Sequence, residues 1–79
     1  MNKRLHHELL DEYVQCSELA KIHEKKAADC LMDGDMGIAR AHFKSAADER
    51  SRMRKIVQKL SDAGLAFTPD YVRGHNGKN

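Results

Sequence analysis

The sequence predicts an all-α fold, an antiparallel two-helix hairpin followed by a short C-terminal segment. Two long stretches, at about 3–32 and 36–63, carry apolar residues at steps of three, four and seven. That spacing brings them to one face of a helix. Between the stretches, Gly34 can adopt a positive φ and end one helix, while Asp35 can cap the next. The chain therefore reverses its direction at a tight turn.

The first helix has no internal glycine or proline, and alanine, leucine, glutamate and lysine dominate it. Its predicted inward stripe, with Tyr13 at one edge, consists of Leu5, Leu9, Cys16, Leu19, Ala20, His23, Ala27, Cys30 and Leu31. Leu10, Val14 and Ala28 form a second flank, which is more apolar surface than one partner helix covers. Because a lone hairpin buries so little, this flank predicts a homodimer that forms a four-helix bundle of coiled-coil type.

The second helix ends in a recognisable stop signal. Gly64 follows Ala63, and Leu65 can fold back on Leu60 in a Schellman-type closure. The predicted inward stripe of this helix, with Phe43 on its margin, consists of Ile38, Ala39, His42, Ala46, Met53, Ile56, Val57 and Leu60.

Beyond this helix, the sequence predicts a single helical turn that Thr68 caps, with Pro69 at its first position. Phe67 and Tyr71 should then pack on the open end of the hairpin. We expect one domain at 1–73 and a mobile tail at 74–79, because the tail has nothing to bury.

Residues around the turn resemble the middle of a tetratricopeptide hairpin. The first helix is about twice as long as the helices of that family, and no second repeat follows. The likeness therefore implies a shared local packing and not membership. The residues that carry it are Leu31, Gly34, Asp35, Ala39, Phe43 and Ala46.

Length and composition limit the class of protein. The chain has 79 residues, enough for one domain, and its net charge of +2 is too small to indicate nucleic acid by itself. No apolar run approaches the roughly 20 residues of a membrane span, and the N-terminus lacks a signal-peptide core. We therefore expect a soluble cytoplasmic protein without membrane contact.

Two cysteines support the cytoplasmic expectation. On one helix, Cys16 and Cys30 would lie roughly 21 Å apart, too far to form a bridge within the chain. Free thiols are typical of a reducing compartment. A bridge between two chains stays open.

Histidine and cysteine provide the only candidates for metal binding. His23, His42 and Cys30 lie at heights on the hairpin that make a zinc site conceivable. They lack a fourth ligand and the closely spaced pairs typical of zinc motifs. We therefore predict no metal and no cofactor, with each imidazole packed against a small side chain of the facing helix, His23 against Ser45 and Ala46.

Nothing in the sequence favours catalysis. Cys16 would need a neighbouring base and a pocket to act as a nucleophile, and a two-helix hairpin offers neither. The prediction is a protein that is not an enzyme.

Charge is unevenly distributed along the chain. The stretch from Arg40 to Lys59 contains seven lysines and arginines but only two acidic residues. The helical pattern spreads most of this positive charge over the outer face of the second helix. We take the basic residues and two aromatic residues of the C-terminal segment as candidates for partner binding: Arg40, Lys44, Arg52, Arg54, Lys55, Phe67 and Tyr71.

These features favour a small protein–protein interaction module, acting as a regulator, inhibitor or adaptor. Arginine forks pair well with carboxylates, so the expected partner is a protein with an acidic surface. A bacterial or phage accessory protein would suit this description. The alternative is a regulator that binds nucleic acid through the same basic face. It is less favoured because no aromatic residues interleave with the charges to stack on bases.

Overall fold

The structure, a computed structural model, describes residues 3–69. Helix α1 spans Lys3–Met32 and helix α2 spans Met36–Asp62, and the two pack against each other along their length. The predicted all-α hairpin is confirmed, with α2 ending one residue earlier than expected because Ala63 is its C-cap. Tyr71 and the expected boundary between a domain at 1–73 and a tail at 74–79 lie outside the described residues.

Gly34 and Asp35 make the turn as the sequence predicts. Gly34 has a φ of 82°, a value that side-chain-bearing residues rarely adopt. Its N–H donates to the carbonyl of Leu31 (3.0 Å), and the N–H of Asp35 donates to the carbonyl of Cys30 (2.8 Å). Asp35 also starts α2, because its Oδ1 accepts the backbone N–H of Ile38 at 3.3 Å. Asp35 thus bonds to the last turn of α1 through its N–H and to the first turn of α2 through its carboxylate.

Helix α2 ends in the same way. Gly64 has a φ of 71°, and its N–H donates to the carbonyl of Ser61 at 3.0 Å. The N–H of Leu65 donates to the carbonyl of Leu60 at 2.8 Å. This pair of bonds is the predicted Schellman closure. It turns the chain back so that Leu65 and Phe67 pack against the hairpin.

The core is divided along the length of the hairpin. Near the open end lies a cluster of larger buried residues, which Tyr13, Met53, Leu65 and Phe67 cover in part. Towards the turn, the buried positions are alanines, whose small side chains let the helices approach closely: Ala20, Ala27, Ala39 and Ala46. The cluster at the open end consists of Leu9, Leu10, Val14, Cys16, Ile56 and Leu60.

Two of the expectations about exposure are wrong. Leu10 and Val14 were assigned to an uncovered flank, but they are only 1% and 7% exposed and belong to the core cluster. The C-terminal segment explains part of the difference, since Leu65 and Phe67 pack on this cluster as a third element. Ala28 is exposed as expected. The flank that predicted a four-helix bundle is therefore mostly buried within one chain.

Several apolar residues of the expected stripes are exposed instead. A helix that meets only one neighbour leaves the edges of its stripe open to solvent, and these residues lie at such edges or near the turn. They are Leu5, Leu19 and Leu31 on α1, and Ile38, Phe43 and Val57 on α2. Neither α1 nor α2, which together hold most of residues 3–69, is long and apolar enough to cross a membrane.

Candidate interaction surface

All five basic residues singled out on α2 are exposed, but they differ in their partners. Lys44 pairs with Asp48 one turn away at 3.4 Å. Arg52 pairs with Glu49 at 3.6 Å. Within residues 3–69, the remaining three make no ion pair and are available to another molecule: Arg40, Arg54 and Lys55.

Arg52 has a structural role that its neighbours lack. Its partner Glu49 has a side chain only 15% exposed, and the Oε1 atom of that carboxylate is buried without a hydrogen-bond partner. Burial raises the pKa of the Cys16 thiol, and the neighbouring Glu49 carboxylate raises it further. The Arg52 guanidinium therefore compensates the negative charge of a largely buried carboxylate that lies beside a thiol.

An apolar groove lies beside the basic face, where α1 meets α2. Its volume is about 320 Å³, and its apolar lining is provided by Tyr13, Met53 and Val57. Arg50 and Arg54 complete the lining, so two basic residues border the apolar groove. We call this feature the Tyr13–Arg54 groove.

The two arginines of the groove differ in whether they have a partner within the chain. Arg50 reaches across to α1 and donates two hydrogen bonds to the Glu24 carboxylate, from Nε at 2.9 Å and from Nη2 at 2.8 Å. This forked pair joins the two helices and fixes the guanidinium. Arg54 makes no such contact among the described residues, so its charge is free to meet a carboxylate on a partner.

Phe67 lies close to the groove, but its ring packs against other residues of the same chain. Its ring is half-buried and meets the ring of Tyr13 edge to face, with centroids 4.9 Å apart and an interplanar angle of 67°. His6 helps to hold this segment, because its Nε2–H donates to the carbonyl of Ala66 at 2.7 Å. Phe67 thus packs against Tyr13 and is not part of the groove lining.

His23 and His42 meet each other across the helix interface. Their Nδ1 atoms are 3.1 Å apart and their ring centroids 5.3 Å apart. The sequence-based expectation, a small side chain of the facing helix opposite each ring, did not include this contact between the rings. The two Nδ1 atoms are much closer to each other than the two ring centres are. Each Nδ1 atom therefore lies on the side of its ring that faces the other ring, and the two nitrogens point almost directly at each other. One ring donates and the other accepts.

This geometry does not form the conceivable zinc site. Both nitrogens are directed at one another, whereas a metal needs them to converge on a third point. Among residues 3–69, no group of three or more histidine, cysteine, aspartate or glutamate side chains is placed to hold a metal ion. Cys30 is a half-buried free thiol, and Cys16 is a buried one.

Sequence reasoning missed the groove because it assigned Tyr13, Met53 and Val57 to the core. The position of Tyr13 at one edge of the α1 stripe was the available signal. Of the seven candidate residues for partner binding, Arg54 lines the groove and Phe67 packs against Tyr13, which also lines it. Arg40 lies elsewhere, in a hollow near the turn.

No protein-family model matches the chain, and no curated protein or solved structure shows significant similarity to it.

Proposed function

We propose that this protein is a non-enzymatic protein–protein interaction module, a small regulator, inhibitor or adaptor, and that the Tyr13–Arg54 groove receives its partner. The observation that carries this proposal is an unpaired arginine on the edge of an apolar groove. Buried apolar contacts supply most of the free energy of association, while an arginine fork supplies orientation. Tyrosine, methionine and arginine are also the residue types enriched in protein interfaces.

The chemistry of the groove defines the partner. A large apolar side chain of the partner would fill the space between Tyr13 and Val57, which is 40% exposed. A neighbouring aspartate or glutamate would meet Arg54, because Arg50 is already held by Glu24. The partner is therefore a protein with an acidic surface that presents an apolar residue beside a carboxylate.

The environment of Cys16 supports a role without catalysis. A cysteine nucleophile acts as its thiolate and needs a lowered pKa. Burial and the Glu49 carboxylate raise the pKa of this thiol instead. We also propose a cytoplasmic location, which the free thiols of Cys16 and Cys30 support.

Site-specific photocrosslinking tests the proposal. A benzophenone amino acid replaces Val57 in one protein and Lys55 in a matched control, since both positions are exposed on α2 and only the first lines the groove. In a lysate of cells that express the protein, the first should crosslink to one protein, and excess wild-type chain should suppress the product. Equal products at both positions, or none at either, would contradict the proposal.

Nucleic acid is the second candidate, because the basic residues of the outer face of α2 are all exposed. Lys44 and Arg52 have carboxylate partners on their own helix, which reduces the positive field. Affinity for random duplex DNA across a salt series separates the candidates. Binding through phosphates would weaken with a slope of about −0.9 per phosphate neutralised, whereas the groove should show no binding to DNA at physiological salt.

We also propose a homodimer, but from apolar residues other than the flank that led the sequence analysis to expect one. The flank that predicted a four-helix bundle is mostly buried, so a second copy must use other apolar residues. Exposed large apolar side chains are concentrated near the turn, and they offer such a surface: Leu31, Met32, Met36, Ile38 and Phe43.

A further inference from the structure

Apolar side chains are exposed at the turn end of the hairpin, on both sides of the acidic turn. Met32, the last residue of α1, is 86% exposed, and Met36, the first residue of α2, is 58% exposed. Methionine is flexible and adapts its shape to a partner, which makes it common on binding surfaces. Several exposed apolar side chains at one end of a molecule are typical of an interaction site.

A small hollow adjoins these methionines. It has a volume of about 160 Å³ and is lined by Leu31, Met36, Ala39, Arg40 and Phe43. Its walls are apolar apart from the Arg40 side chain, which makes no ion pair within residues 3–69. The hollow therefore combines room for one apolar side chain with an available positive charge. We call it the turn hollow.

The same end of the molecule also carries an exposed apolar side chain and a carboxylate that would fit this hollow in shape and in charge. Met32 is the most exposed of the large apolar side chains in the described part of the chain, and Asp33 follows it directly. Asp33 makes no ion pair in that part. An apolar projection with an adjacent carboxylate thus lies beside an apolar hollow with an adjacent guanidinium.

We infer that the turn hollow docks a second copy of this chain. Met32 of each copy enters the hollow of the other, and Asp33 of each copy pairs with Arg40 of the other. A two-fold axis makes both contacts at once, since projection and hollow lie on the same end of each molecule. The resulting dimer joins the hairpins at their turns, and the Tyr13–Arg54 groove of each copy plays no part in it.

This inference rests on the proposed function only in treating the chain as an interaction module. The area at one hairpin end is small compared with the roughly 1,200 Å² of a stable interface, so the dimer should be weak and concentration-dependent. Sedimentation velocity from about 10 µM to about 1 mM should show the wild-type chain moving from monomer to dimer.

Charge reversal provides the decisive variants. Asp33→Arg and Arg40→Asp each place like charges together across the axis, and each should weaken dimerisation at least about tenfold. The double variant, Asp33→Arg with Arg40→Asp, restores two attractive pairs and should dimerise as the wild type does. A mixture of the two single variants should form a heterodimer for the same reason.

Two further variants control for folding and for general charge. Met32→Lys puts an ammonium group into the apolar hollow beside the Arg40 guanidinium and should abolish the dimer, and it cannot disturb the core because Met32 is 86% exposed. Lys55→Glu changes the charge on the outer face and should leave the dimer unchanged. Circular dichroism checks the helicity of every variant.

A wild-type chain that stays monomeric to 1 mM would overturn the inference, as would a double variant that fails to recover the dimer. In either case the turn hollow serves another occupant or none. Photocrosslinking at Val57 is independent of these residues, so its result separates a failure of the dimer from a failure of the proposed function.

Discussion

Arg52 shows how neighbouring exposed arginines can have different uses. It lies on the basic face, yet its contact with Glu49 links it to a carboxylate that is only 15% exposed and lies beside a buried thiol. Reversing the charge of Arg52 would remove this compensation and change stability as well as binding. Arg54 has no such contact, so a substitution there affects the groove alone.

The Cys16 thiol should make stability depend on pH in the alkaline range. Its pKa is raised in the folded chain above the ordinary value of 9.0, so the stabilisation is complete below that value. It is lost as the pH rises through the folded pKa, because the unfolded chain releases its proton first. Urea unfolding at several alkaline pH values should show this loss, and Cys16→Ala should reduce it. An identical pH profile in the variant would contradict the account.

The two thiols should also react at different rates. Cys30 is half-buried, whereas Cys16 is 5% exposed and its thiolate is disfavoured. Alkylation acts on the thiolate, so iodoacetamide should modify Cys30 well before Cys16. Peptide mass spectrometry over a time course measures both, with the unfolded protein in urea as the control. Faster modification of Cys16 in the folded chain would show that the helices open there.

The helices and their ends are the part of the structure that sequence predicts best. Periodicity indicates both helices, and Gly34 and Gly64 indicate where each stops, because these signals depend on the local chain alone. Exposure of Leu10 and Val14 was mispredicted because it depends on where a later segment packs. The contact between His23 and His42 also depends on the register of two helices, which periodicity does not determine.

Glycine substitutions test the turn. Gly34→Ala forces a side chain into a positive φ of 82° and should cost about 1–2 kcal/mol. Gly37→Ala is the matched control, since Gly37 lies within α2 and an added Cβ would meet nothing within 4 Å. That change should increase stability by about 0.5–1 kcal/mol. Thermal unfolding measures both, and a loss of stability for Gly37→Ala would contradict the helix boundary.

At the scale of the whole molecule, the fold is long and thin, with extents of 51 × 27 × 14 Å. Two helices side by side leave most side chains near the surface. Leu10 and Leu60 are the only large side chains below 2% exposure in the described part of the chain, and both lie near the open end. Stability should therefore depend strongly on this end.

Truncation of Leu60 tests that dependence. Leu60→Ala removes a fully buried side chain and should cost about 2–5 kcal/mol, which is a large share of the stability of so small a domain. Val57→Ala, one turn away on the same helix and 40% exposed, should cost much less. Equal losses in urea unfolding would show that the burial of Leu60 does not account for its contribution to stability.

The candidate site could be predicted only in part. Helical periodicity places Arg40, Arg54 and Lys55 on the outer face, and all are exposed. Which basic residues are already paired depends on rotamers and on the other helix, as the bonds from Arg50 to Glu24 show. The groove needs Tyr13 and Val57 to meet across the hairpin, which no local pattern indicates.

The most direct test of the proposed function measures how much of the crosslinked partner is recovered with Arg54→Glu and with Lys55→Glu. The two variants carry the same change of charge on exposed neighbouring positions, and only Arg54 lines the groove. We expect Arg54→Glu to lower recovery at least about tenfold and Lys55→Glu to leave it near the wild-type level. Equal recovery from both variants, whether high or low, would contradict a partner held at the Tyr13–Arg54 groove.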